Sequence, residues 1–173
     1  DYVWIDSNTD GTQYDDEGEL EAGVANVRVV LQTRESEEAD WTYAAETVTD
    51  EEGKYQFTGL KSSQHNETEY RGVFALSEVT EMTKLNAGDD TEIDSDAIGT
   101  YQRNIIPSTP DDDNTGGYVT AVVKPEYGTD DLSWDAGIIR ILSALVYDVC
   151  YVTTFNGIQA EGEEGIARVT VIL

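Results

Sequence analysis

Helical periodicity is hard to find anywhere in this chain, and that absence constrains the fold more than any other feature. Apolar residues gather instead in short runs: Tyr2–Ile5, Val24–Leu31, Trp41–Val48, Lys54–Phe57, Val73–Val79, Tyr118–Val123, Ile138–Leu142 and Ala167–Leu173. Each is four to eight residues long and rich in Val, Ile, Tyr or Thr. Turns rich in Gly, Asp and Asn separate them, as in Thr49-Asp50-Glu51-Glu52-Gly53. Short β-branched runs punctuated in this way predict an all-β protein, an antiparallel β-sandwich. Val27-Arg28-Val29 and Lys54-Tyr55-Gln56-Phe57 alternate as strands with one buried face do.

The plan of the first strands returns late in the chain. Asp10-Gly11 followed by Gly23-Val24 is echoed by Asn156-Gly157 followed by Gly165-Ile166. Gly11 and Gly157 lie 146 residues apart while Gly23 and Gly165 lie 142 apart, so the first loop carries four extra residues. This predicts one complete unit over residues 1–139. Residues 140–173 are then a C-terminal strand segment, the start of a second, degenerate repeat or a donor strand. An apolar strand without a sheet of its own needs a partner, either a neighbouring repeat or another copy in head-to-tail, strand-donating assembly.

Charge narrows the function. The 173 residues carry 36 Asp and Glu against 10 Lys and Arg, a net charge of −26. A nucleic-acid binder needs a basic footprint, and an anionic membrane surface would repel this chain. The most apolar stretch, 136–152, contains Arg140 and Asp148 and falls short of a membrane span. Metal cations, basic proteins, or simply water and salt are the positive partners left. Catalysis is not expected. His65 lies in a polar loop, Cys150 in an apolar strand, and a carboxylate pair drawn from 36 acids carries no signal.

One segment carries chemistry. Asp6-Ser7-Asn8-Thr9-Asp10-Gly11-Thr12 has the D-x-N-x-D-G spacing of a calcium loop. Calcium takes six to eight hard oxygens, and Asp6, Asn8 and Asp10 supply positions one, three and five. Gly11 permits the sharp turn, Thr12 offers its carbonyl, and Glu17 or Glu19 would close the shell. Val152, Thr154 and Asn156 stand at the matching places of the late echo, so little or no calcium is expected there.

With these motifs in order, residues 1 to about 135 resemble the B repeats of Gram-positive serine–aspartate repeat adhesins, the SdrD B-like domains. These are relatives of the prealbumin-like B-type domains of collagen adhesins. The resemblance rests on Asp1–Trp4, the loop, Gly23-Val24, Thr49–Leu60, Asp94-Ser95-Asp96 and Asp130–Ile138. It implies a prealbumin- or immunoglobulin-like sandwich stiffened by calcium, extracellular at the cell surface, serving as a stalk repeat or filament subunit. An adhesive module that recognises a protein on another surface is the competing expectation. The resemblance also supports a second calcium site at Asp94 and Asp96, with Asp89, Asp90 or Asp135. The collagen-adhesin relatives often carry a Lys–Asn crosslink, but Arg28 holds the place of the expected lysine and only Glu78 faintly resembles its acid. Asn66-Glu67-Thr68 is a glycosylation sequon, and Asp111–Asp113 a solvated charge run.

Overall fold

The computed structural model describes residues 1–62, 68–78, 80–107 and 115–139. The sequon residues Asn66 and Glu67, His65, Asp111–Asp113, Cys150 and the whole of 140–173 lie outside the described residues.

Seven strands form two sheets. β1 (Val3–Ile5), β7 (Ala136–Ile139) and β5 (Glu81–Met82) make one, in the order β1-β7-β5. β2 (Arg28–Arg34), β3 (Thr42–Val48), β4 (Glu69–Phe74) and β6 (Tyr118–Val119) make the other, in the order β3-β2-β4-β6. All pairs are antiparallel except β1 with β7, which run parallel with Val3 opposite Ala136 and Ile5 opposite Ile138. Among the described residues there is no helix. The all-β sandwich predicted from the short runs is what the chain forms.

The main core lies between the sheets. Val3, Met82, Ala136 and Ile138 from one meet Val29, Phe74 and Tyr118 from the other. Fully buried side chains of this size each stabilise by about 1.5–3 kcal/mol through removal of apolar surface from water. β2 departs from simple alternation, since Val29, Val30 and Leu31 are all buried. Val29 faces the sandwich core, while Val30 packs with Val73, Val119 and Ile106 on the back of the sheet. The segment through Ile98, Ile105 and Ile106 covers that back face, so the central strand is buried on both sides.

Four of the runs read from the sequence differ most from the strands that form. The second strand begins at Arg28, because Asn26 takes a positive φ of 62° and Thr49 clamps the preceding turn. The Thr49 hydroxyl donates to Val24 O (2.7 Å) and accepts from Val27 N (2.9 Å). The Val73–Val79 run is displaced to Glu69–Phe74, since a tight bond from Leu76 N to Phe74 O ends the strand. Tyr118–Val123 keeps only two ladder residues, with Val123 bridging Tyr70 separately. Lys54–Phe57 is no strand. Lys54 bridges Tyr2, Tyr55 N bonds Asp1 O, and the Tyr55 ring then turns into the core, where its hydroxyl donates to Trp134 O.

Candidate metal centre

The predicted loop leaves directly from the β1 ladder, with Asp6 N donating to Ile138 O at 3.0 Å. The Asp6 side chain is 1% exposed and points back into the loop it begins. One carboxylate oxygen accepts from Thr9 N at 2.6 Å. The other accepts from Gly11 N at 2.9 Å and from the Thr83 hydroxyl. This folding back requires positive φ at Thr9 (62°) and Gly11 (94°). A Cβ at Gly11 would also come within 2.5 Å of the Ala87 Cβ, so glycine is needed for both reasons.

Asn8 and Asp10 face outward. Asn8 Nδ2 lies 3.0 Å from Asp10 Oδ2, 3.4 Å from Tyr14 O and 3.4 Å from Asp16 Oδ1. Three oxygens thus gather around the positive end of one amide dipole. A half-turn of that amide presents its oxygen instead, and the set becomes four oxygens from two carboxylates, an amide and a carbonyl. That donor chemistry fits calcium, which accepts mixed carboxylate and carbonyl ligands. Slight burial works to raise the Asp10 carboxyl. Hydrogen bonds from the Thr12 amide and hydroxyl, a bond from Asn8 and the charge of Lys84 outweigh it and hold Asp10 below its usual value. Among the described residues, no three Asp, Glu, His or Cys side chains converge on a metal position by themselves.

The acids that follow Thr12 lie in a short hairpin. Glu17 and Glu19 are exposed, and their amides both donate to Asp15 Oδ1, at 3.0 and 2.9 Å. Asp15 therefore builds a separate turn inside the hairpin that pairs Tyr14 with Leu20. Asp16 lies beside Asn8, and Glu21 lies behind the loop, where its Oε1 accepts from Ser7 N at 2.7 Å. Glu21 Oε2 is buried with no partner. Neither residue was singled out from the sequence. The available signal for Glu21 was its place opposite Gln13 in the hairpin, since both side chains are buried there.

The Asp94-Ser95-Asp96 segment is stitched along the loop. Gln13 N donates to Ile93 O (2.9 Å), Ser95 N to Gly11 O (3.2 Å), and Thr12 bridges Asp94. Asp94, Asp96 and Asp135 are all buried, whereas Asp89 and Asp90 are exposed. Asp135 N donates to Asp96 Oδ2 at 3.0 Å, and Asp96 N to Asp135 O at 2.9 Å. Asp135 Oδ1 accepts from Tyr2 N, but Asp135 Oδ2 and Asp94 Oδ1 are buried without partners. Burial, reinforced by the charges of Asp94 and Asp131, pushes the Asp96 carboxyl up to about 7. Burial first, then Asp96 and Asp94, pushes Asp135 to about 8. Burial and Asp90 raise Asp94 as well. A divalent cation would relieve this mutual repulsion, although among the described residues the three carboxylates do not converge on one metal position.

The crosslink residues are engaged elsewhere. Arg28 pairs with Glu46 at 2.6 Å and donates to Pro107 O, and Glu78 pairs with Arg103 at the surface.

Comparison with known proteins was made against this geometry. The family model described as the SdrD B-like domain matches residues 1–116. Serine-aspartate repeat-containing protein D of Staphylococcus aureus (strain Newman) is 31% identical over 172 residues, 99% of this chain and 10% of that protein. Serine-aspartate repeat-containing protein F of Staphylococcus epidermidis is 31% identical over 173 residues, covering 100% of this chain and 8% of the relative. Serine-aspartate repeat-containing protein C of Staphylococcus aureus (strain N315) is 32% identical over 174 residues, 100% of this chain and 14% of its own length. The chain spans about a tenth of the curated relatives it matches. No solved structure matches it.

Proposed function

The chain belongs to the SdrD B-like domain family of cell-surface adhesin repeats, and from that premise we propose that it is a calcium-stiffened spacer in an extracellular stalk. The family is one of surface repeats and not of enzymes. The observation that carries the calcium reading is the gathering of Asp10 Oδ2, Tyr14 O and Asp16 Oδ1 around Asn8. The unpartnered oxygens of Asp94 and Asp135 support a second cation in the neighbouring cluster. Asp6 would act mainly behind the first site, fixing the turn, with Asn8, Asp10, Asp16 and the Thr12 carbonyl offered to the ion. Bound calcium stabilises the native state by about 2.7 kcal/mol at a hundredfold excess over Kd. In a stalk that energy becomes stiffness and resistance to proteolysis.

Residues 140–173 read as the opening of a following repeat. The matches to relatives run on through them, which favours a neighbouring repeat as partner over self-donation into a filament. Thermal unfolding in millimolar calcium and then in excess chelator tests the metal reading. Calcium should raise the midpoint by several degrees, and Asp10→Ala should remove most of that rise. An unchanged midpoint would reduce the D-x-N-x-D-G segment to an ordinary acidic turn.

A further inference from the structure

A groove of about 1020 Å3 opens on the side of the sandwich away from the covered back of β2. Its floor is aromatic, with Tyr2, Tyr55 and Trp134 buried in it. Its walls expose apolar side chains that a free surface has little reason to show: Leu20 at 50%, Val48 at 53% and Leu132 at 48%. Its rim is acidic. Asp50, Glu92, Glu126, Asp130 and Asp131 stand around it, and Lys54 is the only basic residue of its described lining.

Two further observations concern hydrogen bonding. Among the described residues, the main chain of 56–60 makes no hydrogen bond, although it forms one wall of the groove. The Trp134 indole N–H is buried beneath the groove with no acceptor, in a residue 4% exposed. Lys54–Phe57 alternates like a strand, yet among the described residues no strand pairs with 56–60, where Gly59 takes a φ of 74°.

We propose that this groove binds an extended cationic peptide segment of a partner protein, lysine or arginine alternating with apolar residues, laid beside residues 56–60. An added strand satisfies the unpaired main-chain groups, and its alternate side chains point to opposite sides. One set enters the aromatic floor while the other meets the acidic rim. The rim charge selects the partner and speeds its approach. The chain's own 140–173 segment is a poor occupant, since it carries Asp148, Glu161, Glu163 and Glu164 against Arg140 and Arg168. The acids used here are not the proposed calcium ligands, so the two readings fail separately.

The test is an NMR titration of the 15N-labelled chain, in calcium and in chelator, with the synthetic peptide Lys-Val-Lys-Tyr-Lys-Val-Lys and its Glu-for-Lys counterpart. The lysine peptide should shift the Trp134 indole resonance saturably and leave that of Trp41 in place. The pair Glu126→Lys with Asp130→Lys should weaken binding about tenfold, whereas Glu37→Lys with Glu38→Lys, an equal charge change elsewhere, should alter it less than about twofold. Leu132→Ser should weaken it without changing the Trp4 resonance that reports the core. Absence of a saturable shift overturns the proposal. So does equal weakening by the two charge-reversal pairs, which would reduce the effect to general attraction, or equal binding of the Glu peptide.

Discussion

Asp6→Ala is expected to destabilise the fold whether or not calcium is present, and Asp10→Ala mainly when it is. The reason lies in what each carboxylate holds. Asp6 accepts from Thr9 N, Gly11 N and the Thr83 hydroxyl. Thr9 is exposed and its amide regains water on truncation, but Gly11 and Thr83 are buried and cannot. Two bonds to a charged acceptor, at about 1.5–3 kcal/mol each, put the loss near 3–6 kcal/mol. For a chain of this size that lowers the midpoint by roughly 10 °C. Asp10 is exposed, and its partners Asn8 and Thr12 recover water, so its loss in chelator should stay below about 1 kcal/mol. In calcium it should also forfeit the binding contribution, about 2.7 kcal/mol at a hundredfold excess over Kd. Urea denaturation of wild type and both variants, each in calcium and in chelator, separates the two. An Asp6→Ala loss under about 1 kcal/mol in chelator would refute the reasoning. So would variants that behave alike in both conditions.

Asp96 and Asp135, raised to about 7 and about 8, bind protons in the folded state that the unfolded chain has released, so the metal-free protein should lose stability as pH rises from about 4 to about 8. Denaturation midpoints across pH in chelator check this. Asp135→Asn should flatten the slope, and calcium should counter the loss at the alkaline end. Gly23→Ala places a Cβ 1.9 Å from Glu52 O and should cost at least about 3 kcal/mol. Gly18→Ala, with open space around it but a φ of 81°, should cost only about 1–2 kcal/mol, so urea melts of the pair separate steric overlap from backbone strain. Tyr55→Phe leaves Trp134 O without its donor and should cost about 1 kcal/mol by the same assay.

The sandwich was legible because β-branched runs and turn residues are local signals. Where pairing depends on distant chain, the sequence was less informative. Lys54–Phe57 alternates as a strand should, yet the ring of Tyr55 is claimed by the core and among the described residues no strand pairs beyond it. β5, only Glu81–Met82, is too short to show a period at all. β2 reads as one-sided at Val27-Arg28-Val29, but the segment through Ile105 and Ile106 buries its other face, with Ile106 lying 76 residues beyond Val30 in the chain. In the candidate site, the D-x-N-x-D-G spacing led directly to Asp6, Asn8, Asp10 and Gly11. It could not choose among the later acids, since the hairpin geometry around Asp15 decides which of them turns toward Asn8. Asp94 and Asp96 were found by resemblance, which left Asp89, Asp90 and Asp135 open beside them; of those three the fold buries only Asp135.

The parallel pairing of β1 with β7 has a mechanical meaning. Because the two neighbours run in the same direction, the chain enters at one end of the pair and leaves from the other. Tension along the chain therefore slides the strands past one another and does not peel them apart. The bonds from Ala136 N to Tyr2 O and from Asp6 N to Ile138 O are strained together, in shear. Forced extension is set by the rate of crossing the unfolding barrier, and rupture of several bonds at once raises that barrier. Asp6 stands at the last of these bonds and at the first position of the loop, so an ion held by that loop would brace the turn that continues the seam.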